Sequence, residues 1–158
     1  MKIFIGSDHA GFELKEVLVP FLKNLGHEVF DVGAKTFVDG DDYPDYIIPV
    51  AQEVSKNPDL IKGIVIGGSG QGEAICANRF PHVRAVVFNG QYRPTDGRLV
   101  PYEVMLTRQH NDANILSLGA RFLSMDEARD AVKLWLETPF SGDPRHIRRL
   151  QKIDSSAH

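Results

Sequence analysis

A single cysteine, Cys76, in 158 residues rules out an internal disulfide and leaves no set of thiolates for a metal cluster. No apolar run approaches the roughly 20 residues that a membrane-spanning helix needs. The apolar start, Met1-Lys2-Ile3-Phe4-Ile5, meets Asp8 too soon to read as a secretory leader. Charge of one sign is also missing. A net charge of -3 and a pI near 6.0 give nothing global that would attract nucleic acid or an anionic membrane. Internal repeats, low-complexity segments and linkers are absent too. These absences point to a cytoplasmic chain in a reducing compartment, with residues 1–158 forming one domain. What is present fits that picture: 42% hydrophobic and 25% charged residues are the proportions of an ordinary globular core and surface.

The hydrophobic pattern alternates between two periods. Short β-branched runs at Lys2–Ser7, Glu28–Val32, Gly63–Ile66, Arg84–Phe88 and Asn114–Leu118 predict strands. Between them, helical spacing places Leu14, Val17, Leu18, Phe21, Leu22 and Leu25 on one face, and Ile47, Val50, Ala51 and Val54 on another. Further helices are predicted over Glu73–Arg79, Tyr102–Gln109 and Ser124–Glu137. The last of these opens on the capping-box pattern Ser124-Met125-Asp126-Glu127, and a basic helix begins near Pro144. Strand–helix alternation predicts an α/β fold: a doubly wound, Rossmann/flavodoxin-like α/β/α sandwich. Its five-stranded parallel sheet takes the order 2-1-3-4-5, and a C-terminal helix follows. Ligands of such sheets bind beyond the carboxyl ends of the strands, near the switch between the first and third. The connection Asn89–Pro101 is long for a compact α/β unit and reads either as a tolerated insertion or as a lid or interface loop.

Three features carry chemistry. Gly67-Gly68-Ser69-Gly70-Gln71-Gly72-Glu73 joins a strand to a helix. Glycines let the backbone approach a ligand and turn amides toward an anion. Glu73 and Ala74 stand where a Walker A loop needs Lys and Ser/Thr, and the dinucleotide pattern fails as well, so the loop reads as an oxyanion cradle or as a packing turn. Glu73 is then either an acid favoured by the helix dipole or a general base, for which a dry pocket must raise its pKa against that dipole. Second, Ser7-Asp8-His9-Ala10-Gly11 puts two titratable groups at the end of the first strand, where a turn-forming role competes with a place in a site. Third, Arg108-Gln109-His110-Asn111 and Arg145-His146-Ile147-Arg148-Arg149 carry basic groups. Arg145 and Arg149 share a helical face, which suits a phosphate or simply a solvated surface.

Taken in order with Asp42-Tyr43-Pro44 and Ala77-Asn78, these motifs resemble the ribose-5-phosphate isomerase B family, which also includes allose-6-phosphate and galactose-6-phosphate isomerases. The resemblance runs over nearly the whole chain. It implies a cofactor-free, metal-free aldose–ketose isomerase that moves a proton through an enediol(ate) of a small phosphorylated sugar. Many members use a cysteine at the end of the third strand as the base. Here that position is Gly67, and the chain looks like the branch in which a glutamate after the glycine loop serves instead: Glu73. The resemblance further implies that Ser69 and the amides of Gly70 and Gly72, beside Gly68, hold the developing oxyanion. Asp8 and His110 open the sugar ring, and Tyr43 and Asn111 position the sugar. His9, Arg121, Arg145 and Arg149 hold the phosphate. Members are homodimers or homotetramers with sites at subunit interfaces, which implies that some of these groups come from a partner. His110 favours a pentose over a six-carbon substrate. The rival from another class is a non-catalytic phosphate- or nucleotide-binding module.

Overall fold

The computed structural model describes residues 1–156. Five strands, β1 (Lys2–Ser7), β2 (Glu28–Asp31), β3 (Ile61–Gly67), β4 (Ala85–Phe88) and β5 (Ile115–Gly119), form one all-parallel sheet. Six α-helices connect or follow them: α1 (Phe12–Asn24), α2 (Pro44–Lys56), α3 (Gln71–Ala77), α4 (Glu103–Asn111), α5 (Met125–Glu137) and α6 (Pro144–Asp154). A 3-10 turn at His9–Gly11 leads into α1.

Local chemistry accounts for the boundaries. Gly26, at φ 85°, takes the left-handed conformation that ends α1. Pro44 and Pro144 occupy the first turns of α2 and α6, where a missing N–H costs nothing. The capping box at α5 forms as the sequence predicts: Ser124 Oγ accepts from the Glu127 amide, and the Ser124 amide donates to Glu127 Oε2 at 2.9 Å.

The sheet separates two cores because alternate residues of its central strands face opposite layers. Ile64, Ile66, Leu116 and Leu118 pack with Leu14, Leu18 and Leu22 of α1 and Val132 and Trp135 of α5. Val65 and Ile115 pack instead with Ile47, Val50 and Val54 of α2 and Ala77 of α3.

The strand order is β2-β1-β3-β5-β4, so the expected order 2-1-3-4-5 is corrected at its end. The physical reason is burial. Ile115–Gly119 is buried along its whole length, which suits a strand covered on both faces, and it pairs with β3 on one side and β4 on the other. β4 has four residues, mostly half-buried, and takes the edge, as the equally short β2 does on the far side. The switch between β1 and β3 is unaffected: Ser7, the end of β1, lies opposite Ile66, one residue before the end of β3 at Gly67.

Candidate active site

The cleft at this switch encloses about 370 Å³ and is lined by Asp8, His9, Tyr43, Gly68, Ser69, Gly72, Glu73 and Arg121, with Ala10 and Phe122. Each group reaches it from the carboxyl end of a strand or the start of the next helix. Asp8 follows β1, and its Oδ1 accepts from the amides of Ala10 (3.0 Å) and Gly11 (3.3 Å), so the residue also caps the 3-10 turn. The two readings of that segment therefore both hold: Asp8 makes the turn and lines the cleft.

The glycine loop leaves β3 and is fixed from the β5 side. Ala120 and Arg121 donate their amides to the carbonyls of Gly67 (2.9 Å) and Gly68 (3.2 Å). Ser117 Oγ donates to the Gly70 carbonyl at 2.6 Å, and Asn89 Nδ2 donates to the Ser69 carbonyl at 3.1 Å. Gly70 sits at φ 74°, a left-handed conformation that turns the chain into α3. Along that turn the Gln71 amide donates to Ser69 Oγ at 3.4 Å and the Glu73 amide to its own carboxylate, while the Gly72 amide, at the helix start, has no backbone acceptor one turn earlier. Tyr43 rests against Gly72, and the Arg121 guanidinium rests against Gly68; a Cβ on either glycine would come within 3.1 Å of these side chains.

Glu73 is 5% exposed although it opens a helix. Burial raises its carboxyl above the ordinary range, a hydrogen bond from its own amide works the other way, and the nearby Asp8 charge adds to the rise. Desolvation thus outweighs that hydrogen bond, and a raised carboxyl is the condition a carboxylate base requires. A Cβ built on Gly67 would overlap Glu73 Oε1. The space beside the third strand where a side chain at position 67 would stand is therefore occupied by the Glu73 carboxylate, which such a side chain would have to displace. Cys76 is the last residue but one of α3, is half-buried against the α2 core, and has its thiol pushed up by burial and by Glu73. It is a poor thiolate.

His110, Asn111, Arg145 and Arg149 do not line this cleft. All four are exposed. His110 ends α4 and packs its ring against His146 of α6, with centroids 4.4 Å apart. Arg145 pairs with Asp143 at 3.2 Å. Arg108, in the same motif as His110, is a structural clamp: buried, it reaches Asp112 Oδ1 at 2.7 Å and the carbonyls of Ala113 and Thr138, and its guanidinium lies over Trp135. Residues Asn89–Pro101 carry no regular structure. The segment borders a separate cavity of about 150 Å³ between Tyr102 and Leu134 rather than the Glu73 cleft.

Asp8, His9 and Asp41 bring three potential ligand atoms within 4.8 Å of one another. One oxygen of each carboxylate is already engaged, Asp8 Oδ1 by two amides and Asp41 Oδ1 by the His9 amide and ring, while Asp41 Oδ2 is buried without a hydrogen-bond partner among the described residues. Asp41 is not visible as a site residue in the sequence, where it is one of several acids in an irregular stretch. Ser117 and Asn89 are likewise invisible there, because their role depends on which strand lies next to which.

Comparison with known proteins places this arrangement. A family model described as ribose/galactose isomerase matches residues 3–153. The chain belongs to the ribose/galactose isomerase family. Among relatives in this family, ribose-5-phosphate isomerase B of Mycolicibacterium paratuberculosis is 38% identical over 151 residues, covering 95% of this chain and 87% of that protein. The Escherichia coli protein of the same name is 38% identical over 152 residues, covering 96% and 93%. The structure of ribose-5-phosphate isomerase B from Mycoplasma genitalium, with ribulose 5-phosphate bound, superposes with a TM-score of 0.89 at 37% identity, covering 98% of this chain and 95% of that one. The Clostridium thermocellum enzyme superposes at 0.86 and 42% identity, covering 99% and 97%. The five-stranded Rossmann-like fold is thus that of the family, and no described helix is long and apolar enough to cross a membrane.

Proposed function

We propose that this chain is an aldose–ketose isomerase that interconverts ribose 5-phosphate and ribulose 5-phosphate, with Glu73 as the base. The observation that carries the reading is the Glu73 carboxylate: buried, raised in pKa, and packed into the space beside Gly67 at the mouth of a cleft shared with Asp8, Ser69 and Arg121. In the open-chain aldose, Glu73 takes the C2 proton. The C2–H electron pair becomes the C1–C2 double bond, and the C1 carbonyl opens to an oxyanion. Glu73 returns its proton to C1 while the C2 hydroxyl proton passes to the O1 oxyanion, so that the C2 oxygen becomes the ketose carbonyl and C1 a hydroxymethyl group. In this reading Ser69 and the amides of Gly70 and Gly72 hold the developing oxyanion; one such donor contributes about 10²–10³ in rate.

Asp8 with His110 opens the furanose ring, Tyr43 and Asn111 position the sugar, and His9, Arg121, Arg145 and Arg149 take the phosphate. The exposure of His110, Asn111, Arg145 and Arg149 away from the cleft supports a homodimer or homotetramer in which a second copy supplies them. A single fold over 1–158 and a cytoplasmic location complete the proposal; the lone cysteine suits a reducing compartment.

The test is an isomerisation assay on ribose 5-phosphate, allose 6-phosphate and galactose 6-phosphate after exhaustive dialysis against EDTA. Ribose 5-phosphate is expected to turn over fastest, at a rate the chelator does not change. Preference for a six-carbon substrate refutes the pentose assignment. Inactivity with all three, together with thermal stabilisation by nucleotides, favours the non-catalytic module. Activity lost to EDTA and restored by one divalent ion refutes the metal-free mechanism.

A further inference from the structure

His9 enters the cleft on a short turn, and a residue 32 positions away holds it there. Asp41, in the irregular stretch before α2, accepts at Oδ1 from the His9 amide (2.9 Å) and lies 2.7 Å from His9 Nδ1. The Asp41 side chain is 9% exposed and that of His9 23%. Burial works against the Asp41 charge, yet the two His9 donors and the Tyr46 hydroxyl outweigh it and hold this carboxyl below its usual range. An ionised carboxylate only accepts, so the shared proton resides on Nδ1. The edge of the ring left for the cleft carries Nε2.

We propose that Asp41 is a positioning residue: it fixes His9 as the Nδ1–H form and favours its cation, so that Nε2–H meets the substrate phosphate as a charged donor. This rests on the sugar-phosphate reading of the cleft. The surroundings of His9 agree with it. Asp8 Oδ2 lies 3.8 Å from Nδ1, and Asp39 belongs to the same loop as Asp41. Glu13 of α1 and the edge-on ring of Phe37 border the groove behind it. In front, Glu73 and Arg121 share the cleft. Arg121 is the opposing cation. The Asp41 hydrogen bond is the leading cause of a raised His9 pKa, burial opposes it, and the Asp8, Asp41 and Asp39 charges reinforce it. A phosphate dianion in the cleft would reinforce it further, while a neutral His9 would offer a bare lone pair to the anion. The cation form is the one that binds, and its range extends upward in pH because the pKa is raised.

Asp41→Asn keeps the shape and an oxygen for both donors while removing the charge. In the substrate-free protein, the His9 ring, identified by the signal lost in His9→Gln, is expected to titrate at lower pH in Asp41→Asn by NMR. The same spectrum reports whether the variant is folded. Inorganic phosphate is expected to bind about tenfold more weakly, the scale of one lost charge-assisted hydrogen bond. The KM for ribose 5-phosphate should rise by a similar factor, with kcat changed by no more than about threefold. The alkaline limb of kcat/KM should move to lower pH. In a His9→Gln background, Asp41→Asn should weaken phosphate binding no further. The proposal is overturned if His9 titrates at the same pH with and without Asp41, or if the two substitutions weaken phosphate binding independently. Phosphate binding that depends on the pair, in a chain that does not turn over ribose 5-phosphate, would sustain the pair and refute the isomerase assignment instead.

Discussion

Glu73 sets the terms at the scale of single residues, because its burial has opposite consequences for chemistry and for stability. Its carboxyl is raised by burial first and by Asp8 second. Between the unfolded pKa and the higher folded one, the native state holds the extra proton. Stability from this group is therefore full at low pH and falls as pH rises through the folded pKa. Catalysis runs the other way, since the base must be ionised. Glu73→Gln is expected to lower kcat by roughly 10²–10⁴-fold, the contribution of a positioned base, and to leave thermal stability near neutral pH equal or higher. Wild-type kcat/KM should fall on the acid side at a pH above the ordinary glutamate range. Cys76→Ala should retain most activity, and alkylation of the wild type should be slow, because the thiol is pushed up rather than down. Loss of turnover in a folded Cys76→Ala, with Glu73→Gln still active, would reverse the assignment. Glu73 is legible in the sequence from its place after the glycine loop. Its burial is not, because the filling of the Gly67 space depends on side-chain packing across the turn.

Among the elements, the glycine loop depends on residues distant in sequence. Ser117 on β5 and Asn89 after β4 hold its carbonyls, so the cradle is aligned by strands outside the β1–β3 switch. Asn89→Ala removes one such bond and should cost on the order of 1 kcal/mol in stability. Its kcat should fall more than its KM rises, because misaligned amides weaken the enediolate rather than the ground state. An unchanged kcat, measured alongside chemical denaturation, would assign Asn89 to stability alone. The boundaries of the elements follow from local signals such as Gly26, Pro44, Pro144 and the Ser124–Glu127 box, and each helix and strand falls within a few residues of its periodic pattern. The exchange of β4 and β5 does not follow from local signals. Chain order suggests neighbours, while the sheet ranks strands by how much apolar surface they offer on two faces, and Ile115–Gly119 outranks Ala85–Phe88. Arg108 shows the same limit: its motif reads as a basic patch, whereas its buried guanidinium ties the end of α4 to the start of β5 and to Thr138.

For the whole molecule, the cleft of one chain presents Glu73, Asp8 and Arg121 but neither His110 nor the two C-terminal arginines. The proposed oligomer predicts complementation. Glu73→Gln subunits mixed with Arg145→Ala/Arg149→Ala subunits, under conditions that allow exchange, should regain activity above either parent. Mixed dimers then contain one site with both an intact base and an intact phosphate clamp. If light scattering and a tagged-subunit pull-down demonstrate exchange and no activity returns, the arginines do not serve a neighbour's site. The lack of an apolar run of roughly 20 residues is legible in the sequence, and no described helix is long and apolar enough to cross a membrane. Composition and charge are silent on the oligomer, since exposed basic side chains look alike whether they face water or a second copy.

The placement of β5 between β3 and β4 also has a consequence in time. Chains are made from the N-terminus, and β4 pairs with no strand except β5. A nascent chain that has emerged through residue 88 therefore presents β3 with one open edge and β4 with no partner, and the glycine loop lacks the Ala120, Arg121 and Ser117 bonds that fix it. Open parallel edges invite pairing with other chains. Ribosome-stalled chains ending between residues 88 and 112 should accordingly be cut readily by protease within β3 and the glycine loop. Resistance is expected only once the tether lets residues 115–121 clear the exit tunnel. Protection before that point would show that β1, β2 and β3 close without the inserted strand. If the protection is late, the glycine loop is set by the last of the five strands to be synthesised, and no half-molecule with that loop in place exists along the way.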